Sequence, residues 1–285
     1  MKVALLGARG QLGAAVRREL AAAHEVVAFG RSDLDITSDA AVARAFASLR
    51  PQAIVNCAAY NDVDGAEDHP VEALNVNAFA VAALARAAAQ SGAALVHYGT
   101  DFVFDGAASA PYSEQDRPNP RSTYGVSKLL GEWFAADAPR AYVLRVESLF
   151  GRAPDGPAPK GSISAIITAL REAREARVFE DRTITPTYIP DAARATRILL
   201  ETNAAPGVYH CVNSDSCTWL EFAQECARQL GVAPRLVPVR MADMKLRAQR
   251  PKYCALANDK LRAAGISMPS WREALARHLA AGSVS

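Results

Sequence analysis

Short apolar runs alternate with longer stretches of helical periodicity through the first half of the chain. Residues 2–6, Lys-Val-Ala-Leu-Leu, have strand length and strand character. Gly7-Ala-Arg-Gly10-Gln-Leu-Gly13 follows as a turn, and residues 14–23 carry Val16 and Leu20 on one helical face. Residues 25–29 are the next apolar run. Strand, glycine-rich turn, helix and strand predict a βαβ unit at the start of the chain. The alternation continues with helix 40–49, strand 53–57, a long helix 71–91, strand 94–98, helix 122–135 and strand 141–146. Strands that alternate with helices predict a doubly wound parallel α/β sheet of the Rossmann type, covered on both faces.

After Phe150 the pattern changes. Residues 151–161 hold three prolines and three glycines, which marks a loop. Helix 162–176, strand 208–212, helix 218–230 and helix 269–281 follow. Thr218 and Glu221 have the spacing of a capping box. The expected division is a dinucleotide-binding Rossmann domain over 1–150 plus about 187–205. A smaller C-terminal α/β substrate domain then comprises 151–186 and 206–285, lending one helix near 190–202 to the cofactor sheet.

The chain's 285 residues suffice for one large domain or two modest ones. Half are hydrophobic and 22% are charged, the balance of a soluble globular protein. A net charge of +2 gives no reason to expect nucleic acid or an anionic membrane as partner. The first apolar run is too short for a signal peptide or a membrane span, so the expected location is the cytoplasm. Cys57, Cys211, Cys217, Cys226 and Cys254 make an odd set without Cys-x-x-Cys, which fits reduced thiols better than disulfides or zinc. The histidines are scattered, and no cluster calls for a metal.

Gly7-x-x-Gly10-x-x-Gly13 follows a strand and opens a helix, the context a dinucleotide site requires. The glycines permit a tight turn, and the helix start, with Gln11 and Leu12, offers backbone N–H groups to a pyrophosphate. The spacing differs from Gly-x-Gly-x-x-Gly. At the end of the second strand, where an NAD site places an acid, stands Arg31, suited to a 2′-phosphate. NADPH is therefore the expected cofactor, with NADH left open by Asp33 and Asp35. Asp35 and Ile36 are candidates for the adenine side. The third strand ends in Ala58-Ala59-Tyr60, where small residues leave room for the cofactor backbone.

Tyr124 and Lys128 lie four residues apart, on one helix face. A phenol can protonate the alkoxide left by hydride delivery to a ketone. A neighbouring ammonium would pull its pKa down from about 10 and could also bind the nicotinamide ribose. Thr100, at the end of the fourth strand, can donate to the carbonyl oxygen.

These residues, with several longer motifs, make the chain resemble the extended short-chain dehydrogenase/reductase superfamily, and more narrowly the dTDP-4-dehydrorhamnose reductase family. The motifs are Gly7–Gly13, Leu34-Asp35-Ile36, Asn56-Cys-Ala-Ala-Tyr60, Asn75-Val-Asn77, Thr100-Asp-Phe-Val-Phe-Asp-Gly106, Tyr124-Gly-x-Ser-Lys128 and Arg250-Pro251. The resemblance implies a catalytic triad of Thr100, Tyr124 and Lys128. It implies that Thr100 and Asp101 touch the sugar, that Asn77 supports a proton-relay water, and that Arg250 meets the diphosphate. The implied reaction reduces a 4-keto-6-deoxy sugar carried on dTDP, and the implied assembly extends to a homodimer. Ser148 stands where these reductases carry a tryptophan near the sugar, and Cys254 where a serine is common. Both bear on substrate choice.

Sugar-nucleotide dehydratases place an Asp-Glu pair after the threonine. Here Asp101 is followed by Phe102, so the second acid is missing. Reductases of other dTDP-keto-deoxy sugars remain alternatives. So does a non-catalytic role like that of the methionine adenosyltransferase regulatory subunit, which resembles the same family.

Overall fold

The central strand β1 (Lys2–Leu6) is buried from Val3 onward, as a strand covered on both faces must be. It pairs in parallel with β2 (Glu25–Phe29) on one side and β3 (Ala53–Asn56) on the other. β4 (Ala94–Thr100) and β5 (Ala141–Val146) extend the sheet beyond β3, again in parallel. A sixth strand, Gly207–His210, pairs in parallel with β5 and closes the series. The chain runs from β1 to β2 and then returns to the opposite side of β1. This reversal opens a crevice beyond the carboxyl ends of β1 and β3.

The computed structural model describes residues 1–202 and 204–281. Residue 203, within the assignment 187–205, and 282–285, within 206–285, lie outside the described residues.

Two apolar layers sandwich the sheet. Leu5, Val16, Leu20, Leu144 and Leu199 form part of one, under α1 (Gln11–Ala21) and the Ile189–Glu201 helix. Leu6, Phe46, Ile54, Leu84 and Leu95 form part of the other, under α2 (Asp39–Leu49) and the helix Pro70–Ser91. Pro70–Ser91 is long and apolar enough to cross a membrane by length and composition, yet 56% of its most apolar window is buried inside this fold. A third core, with Phe150, Ile166, Leu170, Phe222 and Trp271, serves the smaller lobe. There the capping box of Thr218 and Glu221 starts the helix Trp219–Leu230.

Two expectations are corrected and a third gains a detail. The strand assigned to the smaller domain at 208–212 is Gly207–His210. It belongs to the large sheet because Val208 and Tyr209 pair with Val143 and Leu144. The helix expected over 162–176 ends at Arg171, and Ala173 turns the chain with φ 51°. Residues Glu175–Phe179 are then a strand beside Arg235–Val239, with Ala176 and Val178 buried on one face. That period-two signal is present in the sequence but short. Finally, the long helix contains a π turn at Asn75–Phe79, a local widening common at functional sites.

Candidate active site

The glycine turn is built for close approach. Gly7 has φ 69°, and a Cβ there would sit 2.6 Å from the Ala58 nitrogen. A Cβ on Gly13 would strike the Gly7 carbonyl. The turn thus packs directly on the exit of β3. Gly10 begins α1 without a side-chain cap, so the first-turn N–H groups keep their capacity for an anion. This cradle fits a dinucleotide pyrophosphate. Gly10, Gln11, Leu12, Gly13, Ala58 and Ala59 line a cleft of about 320 Å³, and Gly7 supports it from behind.

The β2 end is arranged differently from the expectation built on Arg31 alone. The Asp33 carboxylate accepts from the Gly30 N–H at 2.7 Å and ion-pairs with Arg9 at 3.2 Å. The Gly30 N–H, followed by the Arg9 charge, holds the Asp33 pKa below the usual carboxylate value. Arg9 was not singled out from the sequence, although its place inside the glycine turn is a signal. Arg31 is exposed next to this pair. Asp35 accepts from the Thr37 hydroxyl at 2.7 Å and the Thr37 N–H at 3.0 Å, while Ile36 is buried in the core. Neither lines the cleft, and neither does Tyr60. Tyr60 is instead clamped through its backbone: Asn77 Oδ1 accepts its N–H at 2.8 Å and Asn77 Nδ2 donates to its carbonyl at 3.0 Å. Asn77 also donates to Ser127 at 3.0 Å. It therefore ties the cofactor loop to the helix that carries Tyr124.

That helix, Thr123–Ala135, starts where Ser122 accepts from the Gly125 N–H and Glu67 accepts from the Thr123 N–H and hydroxyl. An acid at a helix N-terminus is favourable both as acceptor and toward the dipole. The far end is held by a buried ion pair. Arg145 on β5 donates to Glu132 through Nε at 3.1 Å and Nη2 at 2.7 Å, and its guanidinium lies over the Phe104 ring.

Between these anchors, Tyr124 and Lys128 line the same cleft as Thr100. The Tyr124 ring meets Phe102 edge to face at 5.4 Å. Lys128 Nζ donates to the Tyr98 carbonyl at 2.6 Å, a backbone partner that no sequence signal marks. The Thr100 hydroxyl donates to Asp101 Oδ1 at 3.0 Å. Burial pulls the Lys128 pKa down to about 8, opposed by the Glu132 charge. The expected lowering of the Tyr124 pKa is not found. Burial, followed by the nearby Asp101 charge, raises it above the ordinary phenol value, with the Thr100 hydroxyl acting the other way. The reason is that burial penalises the charged phenolate more than its neighbours stabilise it.

Asp101, Glu147 and Ser148 complete the cleft wall beyond Thr100. Ser148 takes φ 42°, which turns the chain at the end of β5. Glu147 is buried and accepts from the Thr185 N–H at 2.7 Å. Buried Arg182, not singled out from the sequence, lies 3.8 Å from Asp101 and donates to Cys254 at 3.5 Å. Its position within a charged Glu-Asp-Arg run conceals its burial. Arg250 lies outside the cleft, ion-paired with Asp64 at 2.6 Å. One ligand atom each from Asp101, Glu147 and Cys254 falls within 4.8 Å. The Arg182 guanidinium beside them already supplies a cation.

The family model for the RmlD substrate binding domain matches residues 1–283. The chain is 38% identical over 284 residues to the probable dTDP-4,6-dihydroxy-2-methyloxan-3-one 4-ketoreductase of Streptomyces antibioticus, covering 96% of this chain and 93% of that protein. It is 34% identical over 292 residues to the dTDP-4-dehydrorhamnose reductase of Burkholderia thailandensis, with 96% and 97% covered. Among solved structures, a dTDP-4-dehydrorhamnose reductase from Bacillus anthracis in complex with NADP matches with a TM-score of 0.91 at 32% identity, covering 98% of this chain and 99% of that one.

Proposed function

This chain belongs to the dTDP-4-dehydrorhamnose reductase family of oxidoreductases, and from that premise we propose that it reduces the ketone of a dTDP-linked 4-keto-6-deoxy sugar. The observation that carries the reading is the meeting of Thr100, Tyr124, Lys128 and the uncapped start of α1 in one cleft. A purely regulatory role would not need that convergence.

NADPH supplies the hydride when bound in the Gly7–Gly13 cradle. Thr100 holds the carbonyl oxygen. Tyr124 gives the proton: a phenol is protonated at neutral pH, and the burial that raises its pKa keeps it so while weakening it as an acid. Lys128 carries the positive charge that favours the phenolate once the proton has left. The reading is tested by NADPH oxidation with dTDP-4-keto-6-deoxyhexoses. No oxidation with any of them overturns it.

A second cleft, of about 330 Å³, is walled by Arg174, Arg177, Arg182 and Trp219. The indole nitrogen of Trp219 is buried without a hydrogen-bond partner. Guanidinium groups suit a diphosphate, so we assign the nucleotide end of the substrate here, with Arg174 paired to Glu172 at 2.6 Å just as Arg250 is paired to Asp64. Arg182 borders this cleft and also touches Asp101, which joins it to the reacting site.

Arg31 and Arg9 are assigned to the 2′-phosphate of NADPH, with Asp33 as the group that tolerates NADH. Arg31→Ala is expected to raise KM for NADPH about tenfold while leaving that for NADH within a factor of two. An equal rise for both cofactors would remove Arg31 from this role. The pH profile offers another check. Lys128 is an ammonium below its pKa of about 8 and a neutral amine above it. Activity that needs the ammonium falls as pH rises through about 8, rather than near the ordinary lysine value of about 10.4. Lys128→Arg keeps its charge, so the residual activity should lose that fall.

Phe79, Val126 and Trp133 are exposed apolar residues, the last two sharing a face of the Thr123–Ala135 helix. A homodimer contact is assigned to them, to be checked by light scattering of Trp133→Glu against the unmodified chain. The five free cysteines fit a reducing compartment, in line with a cytoplasmic enzyme.

A further inference from the structure

Beyond Thr100 the cleft wall holds a buried polar group larger than the hydride chemistry requires. Glu147 is 2% exposed and uses only one carboxyl oxygen, Oε2, which accepts from the Thr185 N–H. Its Oε1 is buried without any hydrogen-bond partner. Asp101 Oδ2 and Arg182 Nε, in the same cluster, are likewise buried and unpartnered by hydrogen bonds. Buried polar atoms are almost always satisfied, so several in one place indicate a missing polar partner. Glu147 and Asp101 both line the cleft that contains Tyr124, and the Asp101 charge acts on that phenol.

We propose that Glu147 is a specificity-determining residue that, together with Asp101, hydrogen-bonds a hydroxyl on the sugar ring beside the reacting carbonyl, the Glu147 carboxyl group donating through Oε1 and Asp101 accepting. This rests on the ketoreductase reading and names the substrate subclass: neutral hydroxylated keto sugars, in preference to analogues deoxygenated at that carbon. The charge count explains the choice of hydroxyl over ammonium. Arg182 already balances one of the two acids. Burial, with the Asp101 charge next, pushes the Glu147 carboxyl well above the usual range, toward its uncharged form. A metal ion is disfavoured on the same ground, since the guanidinium stands where its charge would be needed. Buried polar groups left without a partner also reject the wrong substrate, because an analogue without the hydroxyl leaves Oε1 and Oδ2 unpaired.

The experiment compares kcat/KM for a dTDP-4-keto-6-deoxyhexose bearing a hydroxyl next to the ketone with that for its 3-deoxy analogue. The unmodified enzyme is expected to prefer the hydroxylated sugar by about 100-fold or more. Glu147→Ala should lower kcat/KM for the hydroxylated sugar about 100-fold, mainly through KM, and so shrink the preference over the deoxy sugar to within about threefold. Glu147→Gln keeps a carbonyl acceptor for the Thr185 N–H and places an NH2 donor where the carboxyl O–H stood, so it should keep part of the preference. NADPH affinity reports folding of each variant, and if Glu147→Ala does not fold, Glu147→Gln decides. An equal loss on both sugars, or an unchanged preference in both variants, overturns the proposal while leaving the ketoreductase reading intact. If the unmodified enzyme reduces neither sugar, both readings fall.

Discussion

Tyr124→Phe is expected to lower kcat by about 10²–10⁴-fold while leaving the dissociation constant for NADPH within twofold. The phenol oxygen is the only atom removed. The ring stays against Phe102, and the backbone of the Thr123–Ala135 helix is untouched. A phenol of ordinary or raised pKa is protonated at neutral pH, so the wild-type residue has a proton to give. Without it the alkoxide must find its proton from water in a confined cleft. The measurement is single-turnover NADPH oxidation beside a fluorescence titration of the cofactor. A variant within threefold of wild-type kcat would remove Tyr124 as the proton donor.

The largest effect on stability is expected at Glu132. Glu132→Ala leaves Arg145 buried with its charge uncompensated, beneath the helix that carries the catalytic pair. Breaking a buried ion pair from one side costs about 3–5 kcal/mol. In a chain of this size that lowers the melting temperature by roughly 10 °C. Removing both charges is a different matter. Glu132→Leu with Arg145→Met should recover much of the loss, because two apolar side chains of similar volume have no desolvation to offset. Differential scanning calorimetry of Glu132→Leu, of Arg145→Met and of the double variant gives the coupling. Simple additivity would show that the pair does not act as a unit.

Much of the site was legible along the chain because it depends on local spacing. The Gly7–Gly13 turn, Thr100 at a strand end, and Tyr124 and Lys128 one helical turn apart all take their geometry from neighbours in sequence. Parallel strands then bring these local pieces to one edge, which the alternation of elements predicts. Less legible were features that depend on distant partners. Arg9 and Asp33 meet across two strand ends. Arg182 reads as a surface charge in its own segment, yet the smaller lobe buries it against Asp101 and Cys254. Arg250 carries suitable chemistry for a diphosphate, but Asp64 occupies it. The strand Gly207–His210 could not be assigned to a sheet from its own residues, since pairing with β5 is a choice among edges.

The sequence by itself determined the alternating architecture, the glycine turn and the spacing of the candidate residues Thr100, Tyr124 and Lys128, since periodicity and i to i+4 spacing specify those directly. Only the tertiary structure decided the electrostatics. Whether Tyr124 is pulled toward phenolate or held as phenol depends on how much low-dielectric protein surrounds it and on which charges lie within a few ångströms. The same holds for Glu147, whose unpartnered oxygen becomes visible only when β5 delivers it into the cleft. Spacing along a chain carries distance along a helix or strand. Burial is a property of everything packed around a residue, and for these groups it comes from segments far away in sequence.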